Sequence, residues 1–454
     1  MHRYCPASGS RPVHANGDAI EEEKAMKVLS RLMLGLASTL FATCIATGAA
    51  RAQGVTLDVF YAQPSFARYH EPIAQAFMKA HPDIKIAFRA PAADYDVGHQ
   101  AKLREAVTNN LPDIYFPGFH LLAELTDVLV PRQQIVALDT LLAAEPAQWR
   151  ADNYAGKIID LGKVHGKLYG LAVNASLPVM YFNTELVKKA GGDPGHMPDT
   201  WEGVIALAKK IHETSRVAGM AYNVHEWPDT WLFQAILTQQ GVPMLDPTGT
   251  KIAFNNEKGL KALTLLRRFV TEGGMQLVGF DASRQLFVAG EIGIFFDTPA
   301  RMRQVTDLVG TRFTLGTAVF PIDDKAAGGI PTGGCAIVIT ARDAAKQKAA
   351  WEYAKFITGP EAQKIVVEAT GYLPTNKRAS GPDFLGPFYD KNPNFKTVAL
   401  ETDRAVPWQG YTGASTVQIW RKQRETINAV MRGDVAPAAG LERIASETAA
   451  MMKK

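Results

Sequence analysis

The sequence has few cysteines and none of the short motifs that mark common nucleotide-binding or catalytic sites. There are 3 cysteines among 454 residues, too few for a disulfide framework. No GxxxxGK(S/T), GxGxxG, GxSxG, HExxH or CxxC pattern occurs, and the histidines after residue 52 lack the paired spacing of metal ligands. We therefore expect no cofactor, no metal site and no enzymatic activity.

Charge of one sign and long apolar runs are also scarce. The formal net charge is +4 without long basic blocks, so we expect no nucleic-acid partner. Apart from the N-terminal region, no segment is apolar enough to span a bilayer. The composition is that of a globular protein, with 47% hydrophobic and 21% charged residues. The length predicts more than one core, since single cores stop growing at roughly 250–300 residues.

The N-terminal region has the pattern of a secretory signal peptide. Lys27 and Arg31 precede an apolar stretch from Leu32 to Ala46, and Ala50-Arg51-Ala52 fits an A-x-A cleavage site. The apolar stretch is shorter than the roughly 20 residues of a spanning helix. We expect cleavage near Ala52, export to the periplasm, and translation of residues 1–25 from an early start codon.

Cleavage near Ala52 would remove two of the three cysteines, Cys5 and Cys44. Cys335 would then have no partner within the chain. The exported protein must therefore be held together by its core and not by disulfides. A lipid-modified Cys44 is the alternative, which its position deep in the apolar stretch disfavours.

Helical and strand patterns alternate along the rest of the chain. The strand-like VTLDVFYA (55–62) precedes a helical face formed by Ile73, Ala76, Phe77 and Ala80, and the strand-like IKIAF follows. KLREAVTNNLPDIYFPG repeats the order of helix and strand, and the middle of the chain is similar. This alternation predicts an α/β fold with a largely parallel sheet.

Four stretches together resemble a known family. They are QAFMKAHPDIKI, GKLYGLAVNASLPVMYFNTELVKKAG, PDTWEGVIALAKKI and AAWEYAKFITGPEAQKIVVEATGYLPTNKRA. From about Val55 to the C-terminus the chain is similar to the family 1 extracellular solute-binding proteins of bacterial ABC importers, nearest the branch that binds glycerol-3-phosphate and sugars. The last stretch, with G-P-E between two helices and then T-G-Y-L-P, is the most specific.

The resemblance implies a two-lobed α/β fold of the type II periplasmic binding protein class. Each lobe would be a mixed sheet flanked by helices, and the ligand would lie in the cleft between the lobes. We expect a signal region at 1–52, an N-terminal lobe at 53–175 and 335–376, and a C-terminal lobe at 176–334 and 377–454. The predicted crossovers lie near 174–177, 333–335 and 374–378.

The same resemblance implies a set of ligand-binding residues. They are Tyr95, Ser176, Trp227, Trp231, Thr298, Gly334, Tyr372, Trp420 and Arg421. From the helical pattern alone, Tyr372 reads as a hydrophobic contact that closes a helix end, and the two tryptophans of HEWPDTWLF read as core residues. Trp408 and Trp420 fit either a stacking surface or the core.

Two departures from the family pattern bear on the ligand. The glycerol-3-phosphate branch has an acidic residue after the third strand, where this chain has Phe119 or His120. It also has an arginine directly after Q-I near the C-terminus, where this chain has Trp420, so Arg421 is rotated by about 100° on a helix. Because phosphate recognition favours a fixed guanidinium fork, we expect a neutral sugar or polyol rather than a phosphodiester.

The expected function is the solute-binding component of an ABC importer. The protein would capture a sugar or polyol and deliver it to the membrane permease subunits, which work with a cytoplasmic ATPase, by closing its cleft. It would act as a monomer. The first alternative is a binding protein for glycerol-3-phosphate or a glycerophosphodiester. The second alternative is a periplasmic glycan-acting enzyme, but no two carboxylates in the sequence have a spacing that indicates a catalytic pair.

Overall fold

Two β-sheets organise the part of the chain that the structure describes. The structure, a computed structural model, describes residues 54–411 and 416–452. The predicted signal peptide and its cleavage site at residues 1–52 lie outside the described residues. Of the helices that the structure describes, none is both long and apolar enough to cross a bilayer.

The strands are β1 (Val55–Phe60), β2 (Ile84–Phe88), β3 (Ile114–Tyr115), β4 (Lys163–Val164), β5 (Lys167–Leu168), β6 (Gly170–Ser176), β7 (Val179–Asn183), β8 (Ala218–Tyr222), β9 (Ile292–Asp297), β10 (Leu315–Ala318), β11 (Ile330–Ile339) and β12 (Ala405–Pro407).

The α-helices are α1 (Ala67–Ala80), α2 (Tyr95–Val107), α3 (Leu122–Leu129), α4 (Asp139–Ala144), α5 (Ala147–Asn153), α6 (Gly156–Asp160), α7 (Thr184–Lys189), α8 (Trp201–Ser215), α9 (Trp231–Thr238), α10 (Glu257–Thr271), α11 (Phe280–Ala289), α12 (Met302–Val309), α13 (Ala344–Ile357), α14 (Pro360–Ala369), α15 (Gly386–Lys391), α16 (Thr416–Arg432) and α17 (Pro437–Met452). Short 3-10 helices cover Pro64–Phe66, Phe119–Leu121, Pro299–Arg301, Lys377–Ser380 and Pro393–Arg404.

The first sheet has the order β12-β11-β3-β1-β2, and β6 also pairs with β11. Strands β1, β2 and β3 run parallel to one another, whereas β11 runs antiparallel to both β3 and β6. Helices α1, α13 and α14 pack around it. We call this sheet and its helices the first lobe.

The second sheet has the order β10-β7-β9-β8. Only its β8–β9 pair is parallel; β7 runs antiparallel to β9 and to β10. The expectation of a largely parallel sheet is therefore wrong for this sheet, because β7 lies between β10 and β9 and runs antiparallel to both. We call this sheet and its helices the second lobe.

Each lobe has its own apolar core. In the first lobe, Ile73 and Phe77 of α1 are fully buried, while Ala80 at the end of the predicted face is exposed. In the second lobe, Trp201 is buried among aromatic rings, with its centroid 5.0 Å from that of Phe269 and 4.9 Å from that of Phe296. Removing water from such rings provides most of the stabilisation of each lobe.

The chain passes from the first sheet to the second between Ser176, the last residue of β6, and Val179, the first of β7. The lobe boundaries stay a prediction. Residues near the third predicted crossover contact the first lobe: Asn376 Nδ2 donates to Asn153 Oδ1 at 2.8 Å, and Lys377 Nζ donates to the Ala151 carbonyl at 2.7 Å.

Gly334 sits where β11 runs beside the end of β6, opposite Ala175. Its φ is +117°, and a Cβ there would lie 2.3 Å from the carbonyl oxygen of Asn174. Both the backbone conformation and the close approach of the two strands therefore require glycine at this position.

We expect Gly334→Ala to destabilise the protein by about 3 kcal/mol or more, because it combines an unfavourable φ with a backbone overlap. Gly166→Ala is the matched control: its φ is +77°, but a Cβ there meets nothing within 4 Å, so about 1 kcal/mol is expected. Melting temperatures of the two variants measure the difference. Equal melting temperatures would show that the β6–β11 approach is not constrained.

Candidate functional site

A cavity of about 290 Å³ lies between the two lobes. Its wall combines residues from the first lobe, such as Tyr95, with residues from the second lobe, such as Trp231. Seven of the nine predicted ligand-binding residues line it: Tyr95, Ser176, Trp227, Trp231, Thr298, Gly334 and Tyr372. The structure thus brings together side chains that are far apart in the sequence.

Three indoles form one side of the cavity. Trp227 and Trp231 have ring centroids 6.0 Å apart, and Trp231 and Trp408 have centroids 6.4 Å apart. The Trp231 Nε1 donates to the Pro331 carbonyl at 2.7 Å, and the Trp408 Nε1 donates to Thr230 Oγ1 at 3.1 Å. These hydrogen bonds fix two of the rings without using their faces.

The third indole nitrogen is unpaired. Trp227 Nε1 is buried and has no hydrogen-bond partner among the described residues, although the ring lines the cavity. A buried N–H without a partner costs about 1–3 kcal/mol. An acceptor atom of a ligand would remove that cost.

Ser176 and Thr298 lie at the ends of β6 and β9. Their hydroxyl oxygens are 2.9 Å apart, and Thr298 Oγ1 also accepts from the Ala300 N–H at 3.1 Å. Thr298 follows a strand, as the family pattern implied, and caps the 3-10 helix Pro299–Arg301. Together they present hydroxyl groups to the cavity at the junction of the lobes.

Tyr372 reaches the cavity through a turn that only glycine allows. Gly371 has a φ of +123°, and a Cβ there would lie 2.5 Å from the Pro299 carbonyl oxygen. The next residue but one, Leu373, donates its N–H to the Ala175 carbonyl at 2.9 Å. The turn therefore ties α14 to the end of β6, and it places the Tyr372 ring in the cavity wall.

Trp420 does not line the cavity, so the structure does not support its predicted contact. Its side chain is 1% exposed, and Nε1 donates to the Trp227 carbonyl at 3.0 Å. Its ring packs against Phe233 within the core. Because the face of α16 that carries Trp420 is directed into the core, Trp420 supports the loop of Trp227 through this hydrogen bond.

Arg421 does not line the cavity either. It is exposed on α16 and lies in a surface groove with Lys422, Glu425 and Met451. One residue along a helix rotates the side chain by about 100°. The inward position of Trp420 therefore directs Arg421 outward, and the predicted contact with a ligand is corrected.

Sequence reasoning missed several residues of the wall. Arg301, Asp229, Phe280, Gln63 and Asp94 line the cavity. Asp229 lies inside the quoted HEWPDTWLF stretch, between two predicted tryptophans, and was the one most open to detection. Arg301 follows the predicted Thr298 by three residues, but a lone arginine in a turn carries no signal by itself.

Asp229 lies next to a buried set of titratable groups. The pKa of Asp229 is raised to about 7 by burial, against the opposing charge of His120. His120 Nε2 lies 3.0 Å from Asp96 Oδ1, and its ring stacks on Trp408 with centroids 3.7 Å apart. Burial raises the pKa of Asp96 to about 7 and lowers that of His120 to about 4.

The raised pKa of Asp229 predicts a pH dependence. The unfolded carboxyl loses its proton near pH 4, whereas the folded one keeps it to about pH 7, so its contribution to stability falls as pH rises between these values. Asp229→Asn should lack this loss and keep the hydrogen bond that Oδ1 accepts from the Trp231 N–H.

We therefore expect the melting temperature of Asp229→Asn, relative to wild type, to rise from pH 4.5 to pH 7.5. The effect is at most about 1.4 kcal/mol per pH unit. Asp403→Asn, at an exposed position, is the control and should show no such trend. A constant difference for Asp229→Asn across this range would contradict the raised pKa.

The chain matches a family model over much of its length. Residues 63–364 match the family described as bacterial extracellular solute-binding protein. A curated relative from Agrobacterium fabrum, the sn-glycerol-3-phosphate-binding periplasmic protein UgpB, is 26% identical over 313 residues, which is 67% of this chain and 71% of the relative.

Solved structures share the fold. UgpB from Mycobacterium tuberculosis in complex with glycerophosphocholine matches with a TM-score of 0.73 at 18% identity, over 88% of this chain and 98% of that one. Lmo0181 from Listeria monocytogenes in complex with cycloalternan matches with a TM-score of 0.75 at 19% identity, over 88% and 99%. The two-lobed fold with a cavity between the lobes is thus the fold of these binding proteins. Because the family model matches residues 63–364, more than half of the chain, the chain belongs to the family of bacterial extracellular solute-binding proteins.

Proposed function

We propose that this protein captures a sugar or polyol in the cavity between its lobes and delivers it to the permease of an ABC importer. One observation carries the proposal. Side chains from both lobes and from the strands that join them surround a single cavity, among them Tyr95, Ser176, Trp227 and Tyr372.

The chemistry of the wall suits a polyhydroxylated ligand. Rings such as Trp227 and Trp231 offer flat apolar faces to the C–H groups of a sugar. The hydroxyls of Ser176 and Thr298 and the unpaired Trp227 Nε1 supply hydrogen-bonding groups around them. Because an unpaired buried polar group costs about 1–3 kcal/mol, such a wall distinguishes ligands by the positions of their hydroxyls.

Binding and release would follow from closure of the lobes. A ligand that touches Tyr95 in one lobe and Trp231 in the other gains both sets of contacts only when the cleft is closed. Delivery then requires permease subunits that favour the open form. We infer that the protein acts outside the cytoplasm after cleavage near Ala52, as a monomer and without turning its ligand over.

A glycerophosphate ligand is the second candidate. The curated relative from Agrobacterium fabrum is named as a sn-glycerol-3-phosphate-binding protein, which favours this candidate. The outward position of Arg421 disfavours it, since that side chain was the predicted phosphate contact.

A thermal-shift screen of the purified protein without residues 1–52 tests the proposal. We expect at least one sugar, polyol or glycerophosphate to raise the melting temperature, since a ligand that binds only the folded state stabilises it. At a ligand concentration 100 times Kd the stabilisation is about 2.7 kcal/mol. The absence of a shift with every member of the panel would reject the function.

Two substitutions of Trp227 separate stacking from hydrogen bonding. Trp227→Ala removes the ring and should raise the Kd of the ligand found in the screen about 10- to 100-fold. Trp227→Phe keeps a ring but lacks the indole N–H, so a rise of about 10-fold or less is expected.

Trp149→Phe is the control for these variants. Trp149 lies in the first lobe, in a surface groove outside the cavity, so calorimetry should give the wild-type Kd. If Trp227→Ala binds as tightly as wild type, the indole side of the cavity is not the binding surface.

A further inference from the structure

The cavity wall contains a guanidinium whose hydrogen-bond partners are neutral. Arg301 lines the cavity, and its Nη1 donates to Ser65 Oγ at 2.7 Å and its Nη2 to Gln63 Oε1 at 3.4 Å. In residues 54–411 and 416–452, no other lysine or arginine side chain lines this cavity. Arg301 thus brings one positive charge from the second lobe toward two residues of the first lobe.

Two carboxylates whose charges act on Arg301, those of Asp297 and Asp281, are paired with another arginine. Arg284 Nε lies 3.2 Å from Asp297 Oδ2, and Arg284 Nη1 lies 2.8 Å from Asp281 Oδ1. Asp297 is fully buried and also accepts the Thr298 N–H at 2.7 Å. Asp297 is thus held by Arg284, whereas the Asp281 side chain is 80% exposed and also lines the cavity. The structure shows no ion pair of Arg301 within the described part of the chain.

A partly buried guanidinium without a carboxylate is an incomplete arrangement. Burial is the largest cause of a lowered pKa at Arg301, and the positive charge of Arg284 lowers it further. A guanidinium carries five N–H donors in a planar fork that matches a carboxylate or a phosphate. A desolvated charge of this kind is strongly stabilised by an anion held in hydrogen-bonding geometry.

The geometry points to Arg301 as the residue that recognises an acidic group on the ligand, so that the solute is a sugar or polyol carrying a single negative charge. This inference rests on the proposed function and narrows its ligand. The shared chemistry is a monoanionic oxygen group, either a carboxylate or a phosphodiester.

The other charges of the cavity explain the preference for one negative charge. Asp94, Asp229 and Asp281 line the same cavity, and Asp94 accepts the Val97 N–H at 2.7 Å as the cap of α2. A second negative charge on the ligand would be repelled by the carboxylates of Asp94 and Asp281, whereas Asp229 contributes less, because burial raises its pKa to about 7. A dianionic phosphate monoester is therefore expected to bind less tightly than a phosphodiester.

Calorimetry with matched acidic and neutral probes tests the assignment. The acidic probes are gluconate and glycerophosphoglycerol, and their neutral counterparts are glucitol and glycerol. We expect wild type to bind at least one acid about 10-fold or more tightly than its counterpart, a difference of about 1.4 kcal/mol. Which acid is bound distinguishes a carboxylate from a phosphodiester.

Substitutions then assign the effect to one side chain. Arg301→Gln should abolish the preference for the acid, and Arg301→Lys should keep part of it, since a lysine retains the charge without the fork. Arg421→Gln, at the exposed arginine, is the matched control and should bind like wild type. Retention of the acid preference by Arg301→Gln, or its loss in Arg421→Gln, overturns the inference.

A ligand-free measurement excludes a purely structural role. If the main role of Arg301 is to bind an anionic ligand, the ligand-free Arg301→Gln variant should melt at the wild-type temperature or above it, because the substitution removes a poorly compensated charge. A drop of several degrees would show that the contact with Ser65 is structural and would overturn the inference. Binding of neutral probes only, or of no probe of either class, also overturns it. The thermal-shift panel alone decides the proposed function.

Discussion

The antiparallel pairing of β6 with β11 is the constraint on which the site depends. These strands end at the cavity, where Ser176 lies opposite Gly333 and Ala175 lies opposite Gly334. The close approach at Gly334 leaves no space for a side chain. Leu373 then joins the same strand end through its bond to Ala175. The pairing of β6 with β11 therefore holds three separate stretches of the chain, β6, β11 and the turn at Leu373, around one cavity.

Some polar atoms of the cavity wall are hydrogen-bonded within the protein, and others are left for a ligand. The indole N–H groups of Trp231 and Trp408 donate hydrogen bonds within the protein, and these bonds fix the orientation of both rings. Trp227 does not, and its N–H stays without a partner among the described residues. Arg301 is also incompletely paired, since its hydrogen-bond partners are neutral and it has no carboxylate partner among the described residues. Groups left incomplete by the fold are those best placed to recognise a ligand.

Charge is arranged unevenly around the cavity. Arg284 is committed to Asp297 and Asp281, whereas Arg301 has no carboxylate of its own. Asp229 is buried beside His120, and burial raises its pKa. The cavity thus offers one cation, Arg301, and one weakly ionised acid, Asp229, which is consistent with a hydroxylated ligand and a specific place for one acidic group.

The sequence by itself determined the family, the two-lobed α/β architecture and seven of the residues that line the cavity. The pattern T-G-Y-L-P located Tyr372, because Gly371 at positive φ is a local requirement of the turn. The tertiary structure decided which helix faces point inward and which charged side chains form ion pairs. The helix phase of α16 turned Trp420 inward and Arg421 outward, and the pairing of Asp297 with Arg284 left Arg301 free of a carboxylate. Such choices arise from contacts between residues distant in the chain, and no local sequence pattern records them.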